Sequence, residues 1–402
     1  MTLSYPMWLL IGCQNHIADE YNVRKSMILQ APSALSENWN PDIILRLDYT
    51  RISALATHVL NNTLKDIPST TKEFLGFKAK LTPKLSVKRL VISDASSKEE
   101  VKVLAVIEGP INWKLGGKTG KESVKLRINT NATIKNNNGQ LSLHITKLDS
   151  LKAQLSEIKI NPLKSVDLSP WIEEWMGKQL ANLPPIPMGS INLPVRGIRI
   201  NSTPLSQNVE LRSNVEHSMN VTASSLALEE DWELWVHQET LLGWTQQKAF
   251  SMGVVGYGVA IDPVDLKIQE DAFELALRLW KIEGRGLWWR DYTATGTIEQ
   301  KAHKLKLKGE TVTEGETSER AGLADPLALI AESFILDGIS EQLSQSLPNH
   351  KSTHMSGLKW KLQLEDWSSN NNAVQLSGSI DVSEAKNKPN NKSTEKTKNS
   401  KK

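Results

Sequence analysis

Ser169-Pro170-Trp171-Ile172-Glu173-Glu174-Trp175-Met176-Gly177-Lys178-Gln179-Leu180-Ala181-Asn182-Leu183-Pro184-Pro185 is the stretch on which the architecture turns. Serine stands where a helix is capped, proline sits in the first turn, and Trp171, Ile172, Trp175, Leu180 and Leu183 follow at helical spacing. This predicts an amphipathic helix that stops at the proline pair. The same punctuation returns later, where Asp325-Pro326 opens and Leu347-Pro348 closes a run carrying Leu329, Ile330, Phe334, Ile335, Ile339 and Leu343. A third stripe, Ile52, Leu55, Ala56, Val59, Leu60 and Thr63, predicts a helix over Ile52 to Leu64.

Between the helices the chain alternates with period two. Leu126, Ile128 and Thr130 alternate with Lys125, Arg127 and Asn129, and Leu141, Leu143 and Ile145 with Ser142, His144 and Thr146. Farther on, Phe273, Leu275, Leu277 and Leu279 stand against Glu274 and Arg278, and Leu358, Trp360, Leu362 and Leu364 against Lys359, Lys361, Gln363 and Glu365. One face is apolar and the other wet, the pattern of long antiparallel strands.

Four matches recur in the same order and predict a duplicated unit of about 150 to 180 residues. Glu108-Gly109-Pro110-Ile111-Asn112-Trp113 corresponds to Glu283-Gly284-Arg285-Gly286-Leu287-Trp288. Thr133-Ile134 precedes Leu141-Ser142-Leu143 as Thr297-Ile298 precedes Leu305-Lys306-Leu307. The proline-opened helix comes next, and then a glycine-led strand, Gly197-Ile198-Arg199-Ile200 and Gly357-Leu358-Lys359-Trp360. The units are placed at 42–225 and 226–382.

A helix entering a curved antiparallel sheet, a second helix laid on it and a closing strand resemble the tubular lipid-binding superfamily, to which the bactericidal permeability-increasing proteins belong. Two units joined by Pro184, Pro185, Pro187 and Pro194 deepen the likeness, which covers residues 42 to 382 and is closest to bacterial lipoproteins built from two such units. The resemblance implies an α+β fold: two tandem curved antiparallel sheets, each wrapped around long amphipathic helices. It further implies an elongated apolar tunnel for lipid acyl chains, of phospholipid or fatty acid. Its expected lining is Leu55, Val59, Trp171, Trp175, Leu241, Trp244, Ile330 and Phe334. Tryptophan is plentiful, 13 in the chain with eight from Trp232 onward, and suits a cavity mouth or a membrane interface.

The start of the chain carries its own signal. Tyr5 to Gly12 is a short apolar stretch ending Leu10-Ile11-Gly12-Cys13, which resembles the lipobox of bacterial lipoprotein precursors. The resemblance implies cleavage after residue 12, a diacylglyceryl group on the Cys13 thiol and a further acyl chain, such as palmitate, on the new amino terminus. No Lys or Arg precedes Cys13, which departs from the family pattern. Gln14 after the cysteine favours the outer membrane, facing the periplasm of a Gram-negative envelope. Residues 13–41 are polar and mixed and are expected to act as a linker. Residues 383–402 form a basic tail whose composition predicts disorder; within it Lys386 to Lys402 holds seven lysines and one glutamate, +6, so the rest of the chain comes to −3 out of the overall +3.

Composition narrows the function classes. No run of about 18 apolar residues occurs, so no helix is expected to span a bilayer. The single cysteine excludes an internal disulfide and any Cys-based metal cluster, and with the excess of lysine confined to the tail the charge does not call for nucleic acid. Gly117-Lys118-Thr119 lacks the rest of a phosphate loop and reads as a hairpin turn. Gly253, Gly256 and Gly258 are in the wrong order for a dinucleotide fingerprint and suit tight bends. His350 and His354 lack further ligands for zinc, and Glu173-Glu174 and Glu229-Glu230 read as solvated surface. No catalytic residue, metal or cofactor is expected. The reading is a non-enzymatic envelope lipoprotein that holds lipid; the alternative is a scaffold lipoprotein with a filled core that binds an envelope partner protein.

Overall fold

The structure, a computed structural model, describes residues 8–318, 354–355 and 358–384, apart from short stretches of one to four residues within them. The first half runs α1 (Trp8–Leu29), β1 (Ile43–Asp48), α2 (Tyr49–Lys65), β2 (Thr70–Phe74), β3 (Phe77–Pro83), β4 (Ser86–Asp94), β5 (Glu100–Leu115), β6 (Lys118–Asn137), β7 (Gln140–Leu155), β8 (Ile158–Asn161), β9 (Lys164–Val166), α3 (Ser169–Ala181), β10 (Ile186–Ser190), β11 (Val195–Ser202) and β12 (Ser206–Ser213). The second runs β13 (Trp232–His237), α4 (Gln238–Met252), β14 (Val254–Gly256), β15 (Val259–Gln269), β16 (Ala272–Lys281), β17 (Trp288–Lys301), β18 (Lys304–Thr317), β19 (His354–Met355), β20 (Leu358–Asn370) and β21 (Ala373–Glu384).

The protein is mostly sheet, with few helices. Two antiparallel sheets curl into half-barrels, β10-β7-β6-β5-β3-β2 with β4 alongside β5, and β14-β15-β16-β17-β18. Register shifts at Val87/Arg89 and at Asn129/Thr130 mark bulges, which bend a strand and increase its twist. Long alternating strands form the walls as the sequence predicts. In β16, Phe273, Leu275, Leu277 and Leu279 are all buried, and Leu115 pairs with Lys118 across a tight turn holding Gly117 at φ +82°.

Between the half-barrels lies a third sheet, β11-β12-β1-β13-β21-β20-β19, to which both halves contribute. Its centre is the antiparallel pair β1–β13, with Ile43 opposite Val236, Leu45 opposite Leu234 and Leu47 opposite Trp232. Each of these strands is also paired with a strand that closes its own half, β1 with β12 and β13 with β21. Each passes directly into a helix, α2 or α4. Ile43, Trp232, Leu234 and Val236 belong to the main apolar core that fills both halves, while Ile44 and Trp235, on the opposite face, pack with Val221 of the 214–231 connection.

The coarse expectation of curved antiparallel sheets is met, but among the described residues long amphipathic helices are not shown. Helix α2 has 17 residues, α3 has 13 and α4 has 15. Helix α4 has a single exposed residue, Glu239, over its first two turns: Gln238 and the run Thr240 to Thr245 are buried together, so no period of 3.6 announces it. In α3 the cap is Leu168, with Pro170 in the first turn and no capping side chain. Ser169 lies inside the helix and its N–H donates to Asp167 Oδ1 at 2.8 Å. The expected helix over 325–347 lies outside the described residues.

The repeat matches fare unevenly. Ile134 and Ile298 both stand near the end of the penultimate wall strand and lie opposite Leu143 and Leu307 on the last one. Glu108 to Trp113 does not match Glu283 to Trp288: the first lies inside β5, paired throughout with β6, whereas Glu283 and Gly284 belong to the connection between β16 and β17.

The segment read as a linker is helix and packed coil instead. Residues 8–29 form α1, and Tyr21, 1 % exposed, clusters with Phe250, Ala260 and Trp280 of the second half, supported by Ile17, Ile28, Ile282 and Trp289. Farther on, Leu35 and Trp39 approach Gly197 of β11, Arg199 stacks on the Trp39 ring at 4.8 Å, and Ser33 donates to Glu216. Tyr21 and Trp39 bury enough ring surface to hold a stretch whose average composition is polar.

Candidate functional site

The inward faces of the half-barrels carry long apolar rows that belong to one core. In the first half, alternate residues of β5 and β6 point inward, among them Val103, Ile107, Leu126 and Ile128. Helix α2 lays Ile52, Ala56, Val59, Leu60 and Leu64 into the same core. Its placement is fixed by two polar side chains at the open edge of β4: Ser53 Oγ accepts from the Ile92 N–H at 2.9 Å and Asn61 Oδ1 from the Val87 N–H at 2.6 Å. Edge amides that would otherwise face an apolar helix are thereby satisfied.

Helix α3 buries Trp171, Ile172, Trp175, Met176 and Leu180 and lies against β7. Glu173, expected as solvated surface, instead accepts the Ala153 N–H of β7 at 2.7 Å. Glu174 does face solvent, where hydrogen bonds and charge from Lys178 and then Lys72 hold its carboxyl down at about 2.

In the second half, α4 presents Leu241 and Trp244 to the core, opposite Leu266 and Ile268 of β15 and the inward row of β16. The Gln238 amide docks the helix start by donating to Ile268 O at 2.8 Å and accepting from Ile268 N at 3.0 Å. Trp244 donates its indole N–H to Asn214 Oδ1 at 3.1 Å. His237 accepts from the Glu239 N–H as the helix cap; burial pushes its pKa down, partly opposed by Asp42 nearby.

Val59, Trp171, Trp175, Leu241 and Trp244 all belong to one apolar cluster that runs through both halves, each 2 to 7 % exposed. Leu55 lies in α2, but its side chain is outside the described residues, as are Ile330 and Phe334 entirely. Cys13 lies within α1, its side chain likewise outside them. Among the described residues no three His, Cys, Asp or Glu side chains gather as a metal site, and no helix is long and apolar enough to cross a membrane.

Sequence reasoning missed the polar network at the centre. Asp42 is fully buried, its carboxylate accepting from the Ser213 N–H at 2.8 Å, from Thr240 Oγ1 at 3.1 Å and from the hydroxyls of Ser213 and Ser218. Beside it Arg46 and Glu233, opposite one another on β1 and β13, form a buried ion pair at 2.6 Å, with Arg46 also donating to Leu226 O and Trp235 Nε1 to Glu233. All these groups are matched within the fold, so they act as structure. Their signal was present as charges inside two otherwise apolar runs, Asp42 to Asp48 and Asp231 to His237.

No protein-family model matches the chain, and no curated protein matches it in sequence. Among solved structures it is similar to a lipopolysaccharide binding protein, at TM-score 0.37 and 9% identity over 85% of this chain and 99% of that one. It is also similar to P47 of Clostridium botulinum E1, at TM-score 0.38 and 10% identity over 85% of this chain and 100% of that one. A third likeness, to P47 from Clostridium botulinum A2, has TM-score 0.36 and 9% identity over 84% and 97% of the two chains. At these values the resemblances assign this chain neither a ligand nor a functional residue.

Proposed function

We propose that this chain is a non-enzymatic envelope lipoprotein of two tandem tubular units, anchored through acyl groups at Cys13 and holding phospholipid or fatty acid acyl chains against its concave apolar faces. The observation that carries the reading is the continuity of those faces: the inward rows of both half-barrels, α2, α3 and α4 meet across the central sheet in one apolar cluster. Acyl chains need a long apolar surface shielded from water, and two curled sheets with a third sheet built from both halves between them suit that need. The leader and lipobox resemblance supports the anchor and an outer-membrane location facing the periplasm.

Native mass spectrometry of the full chain with Cys13→Ser, purified without detergent, tests lipid holding. About one or two phospholipids or fatty acids per chain are expected, one for each apolar face. A clean apo mass with no uptake from vesicles sinks the carrier reading. It would favour the scaffold alternative, in which the same faces are closed on themselves and an outer surface binds an envelope partner protein. The low exposure of Trp171, Trp175, Leu241 and Trp244 is what that second reading also requires.

A further inference from the structure

Helix α1 buries one apolar side and leaves further apolar side chains to solvent. Ile17, Tyr21, Arg24 and Ile28, spaced four, three and four residues apart, face the second half. On the far side Val23 and Met27, one turn apart, are 60% and 64% exposed. The α1–α4 junction continues this surface. Tyr21 stacks 5.5 Å from Phe250, a Cβ at Gly253 would lie 4.0 Å from the Lys25 ammonium, and Met252 between them is 45% exposed. The following β14–β15 turn sits against the same cluster, because the Ile282 N–H donates to Gly258 O at 2.9 Å. At its tip stands Tyr257, 83% exposed.

Nine large apolar side chains are exposed among the described residues, and these four gather at one corner; the others are Leu29, Leu104, Met219, Leu226 and Val264. Tyr257 adds a second observation. Its φ is +50°, a left-handed conformation that is costly for a bulky side chain and that asparagine or glycine would adopt more easily. A ring so exposed gains almost nothing from the folded protein to offset that strain, and strain of this kind is kept where the side chain has a task.

We propose that this corner docks on the surface of a lipid bilayer, with Val23, Met27, Met252 and Tyr257 entering the interfacial region. The choice of a bilayer rests on the anchored reading: Cys13 lies in the same helix as Ile17, one turn away and about 6 Å along the axis. Acyl chains there would hold this corner, rather than any other, at the interface, where tyrosine and long apolar side chains partition well. Charge at the corner is mixed, Lys25 and Lys281 beside Glu20 and Glu283, so apolar burial carries the contact and added salt leaves it in place.

The test is flotation of the full chain with Cys13→Ser on vesicles of phosphatidylethanolamine and phosphatidylglycerol. Binding is expected at low and high salt alike. Met27→Ser with Tyr257→Asn should lower it about tenfold or more, while Tyr257→Asn, freed of its strain, leaves thermal stability unchanged or raised. Leu104→Ser should bind as the parent does. Absence of vesicle binding, release by salt, or unchanged binding of the Met27→Ser, Tyr257→Asn variant each overturns docking. The anchored reading fails separately, if the natural chain taken from membranes carries no acyl mass at Cys13.

Discussion

Asp42 Oδ2 and Thr240 Oγ1 lie 3.1 Å apart across the junction of the two halves, and a contact at the equivalent positions, there an ion pair, recurs with the halves exchanged. Thr240 stands three residues past the end of β13; Arg51 stands three residues past the end of β1 and donates to Asp231 Oδ1 at 2.5 Å. The backbone repeats the exchange, for the Asp48 N–H donates to Asp231 O and the His237 N–H to Asp42 O, both at 3.0 Å. Each half thus opens with an aspartate that holds the first turn of the other half's helix.

Replacing Asp42 tests whether this junction carries the fold. Asp42→Ala strands the Ser213 amide and three hydroxyls in the interior, and a loss of about 3 kcal/mol in urea unfolding is expected. Thr240→Val removes one of those donors and should cost about 1 kcal/mol. An Asp42→Ala loss near zero would mean that water reaches the site and that the junction is not dry.

The Arg46–Glu233 pair makes a different prediction. Arg46→Met leaves Glu233 buried at 9% side-chain exposure without its cation, and about 3 to 5 kcal/mol should be lost. Arg46→Met combined with Glu233→Leu removes both charges and should recover most of that loss, because a buried pair repays little more than its desolvation. Equal stability of the single and double variants would count against this account.

Stability should respond to pH through Asp262. Its carboxylate is fully buried, and burial raises its pKa although Arg24 pairs with it and Trp280 donates to it. The folded protein therefore holds this proton more tightly than the unfolded chain. Stability from the group is greatest below the unfolded value of 3.8 and declines as pH rises through the raised folded value. Global stability in urea should carry a contribution from this group that is larger in mildly acidic buffer than at neutral pH, and Asp262→Asn should remove it. Tyr21→Ala, which removes a ring 1 % exposed, should open α1 by about 3 kcal/mol at either pH.

The strands were legible because each wall has one wet and one dry face. Phe273, Leu275, Leu277 and Leu279 alternate with polar neighbours in the chain and are buried in the fold, since period two is the geometry of the strand itself. Helix α2 was legible for the same reason at period 3.6. Helix α4 was not, since all of its first two turns but Glu239 is buried and a helix without a polar stripe has no signature. The N-terminal segment misled through its average polarity: Ile17, Tyr21, Arg24 and Ile28 formed a helical stripe, but a short one among many charged neighbours.

Local backbone preference and side-chain period account for the elements with a single dry face, the turn at Gly117 and the proline-opened helix at Ser169. Only the tertiary structure decided that β1 pairs with β13, that Asp42 meets Thr240, and that α1 lies on the second half with Arg24 against Asp262. Those contacts join residues about 190 to 240 positions apart. Period and composition are blind at that range, because the partner of a buried charge is set by where the sheets bring it and not by its neighbours in the chain.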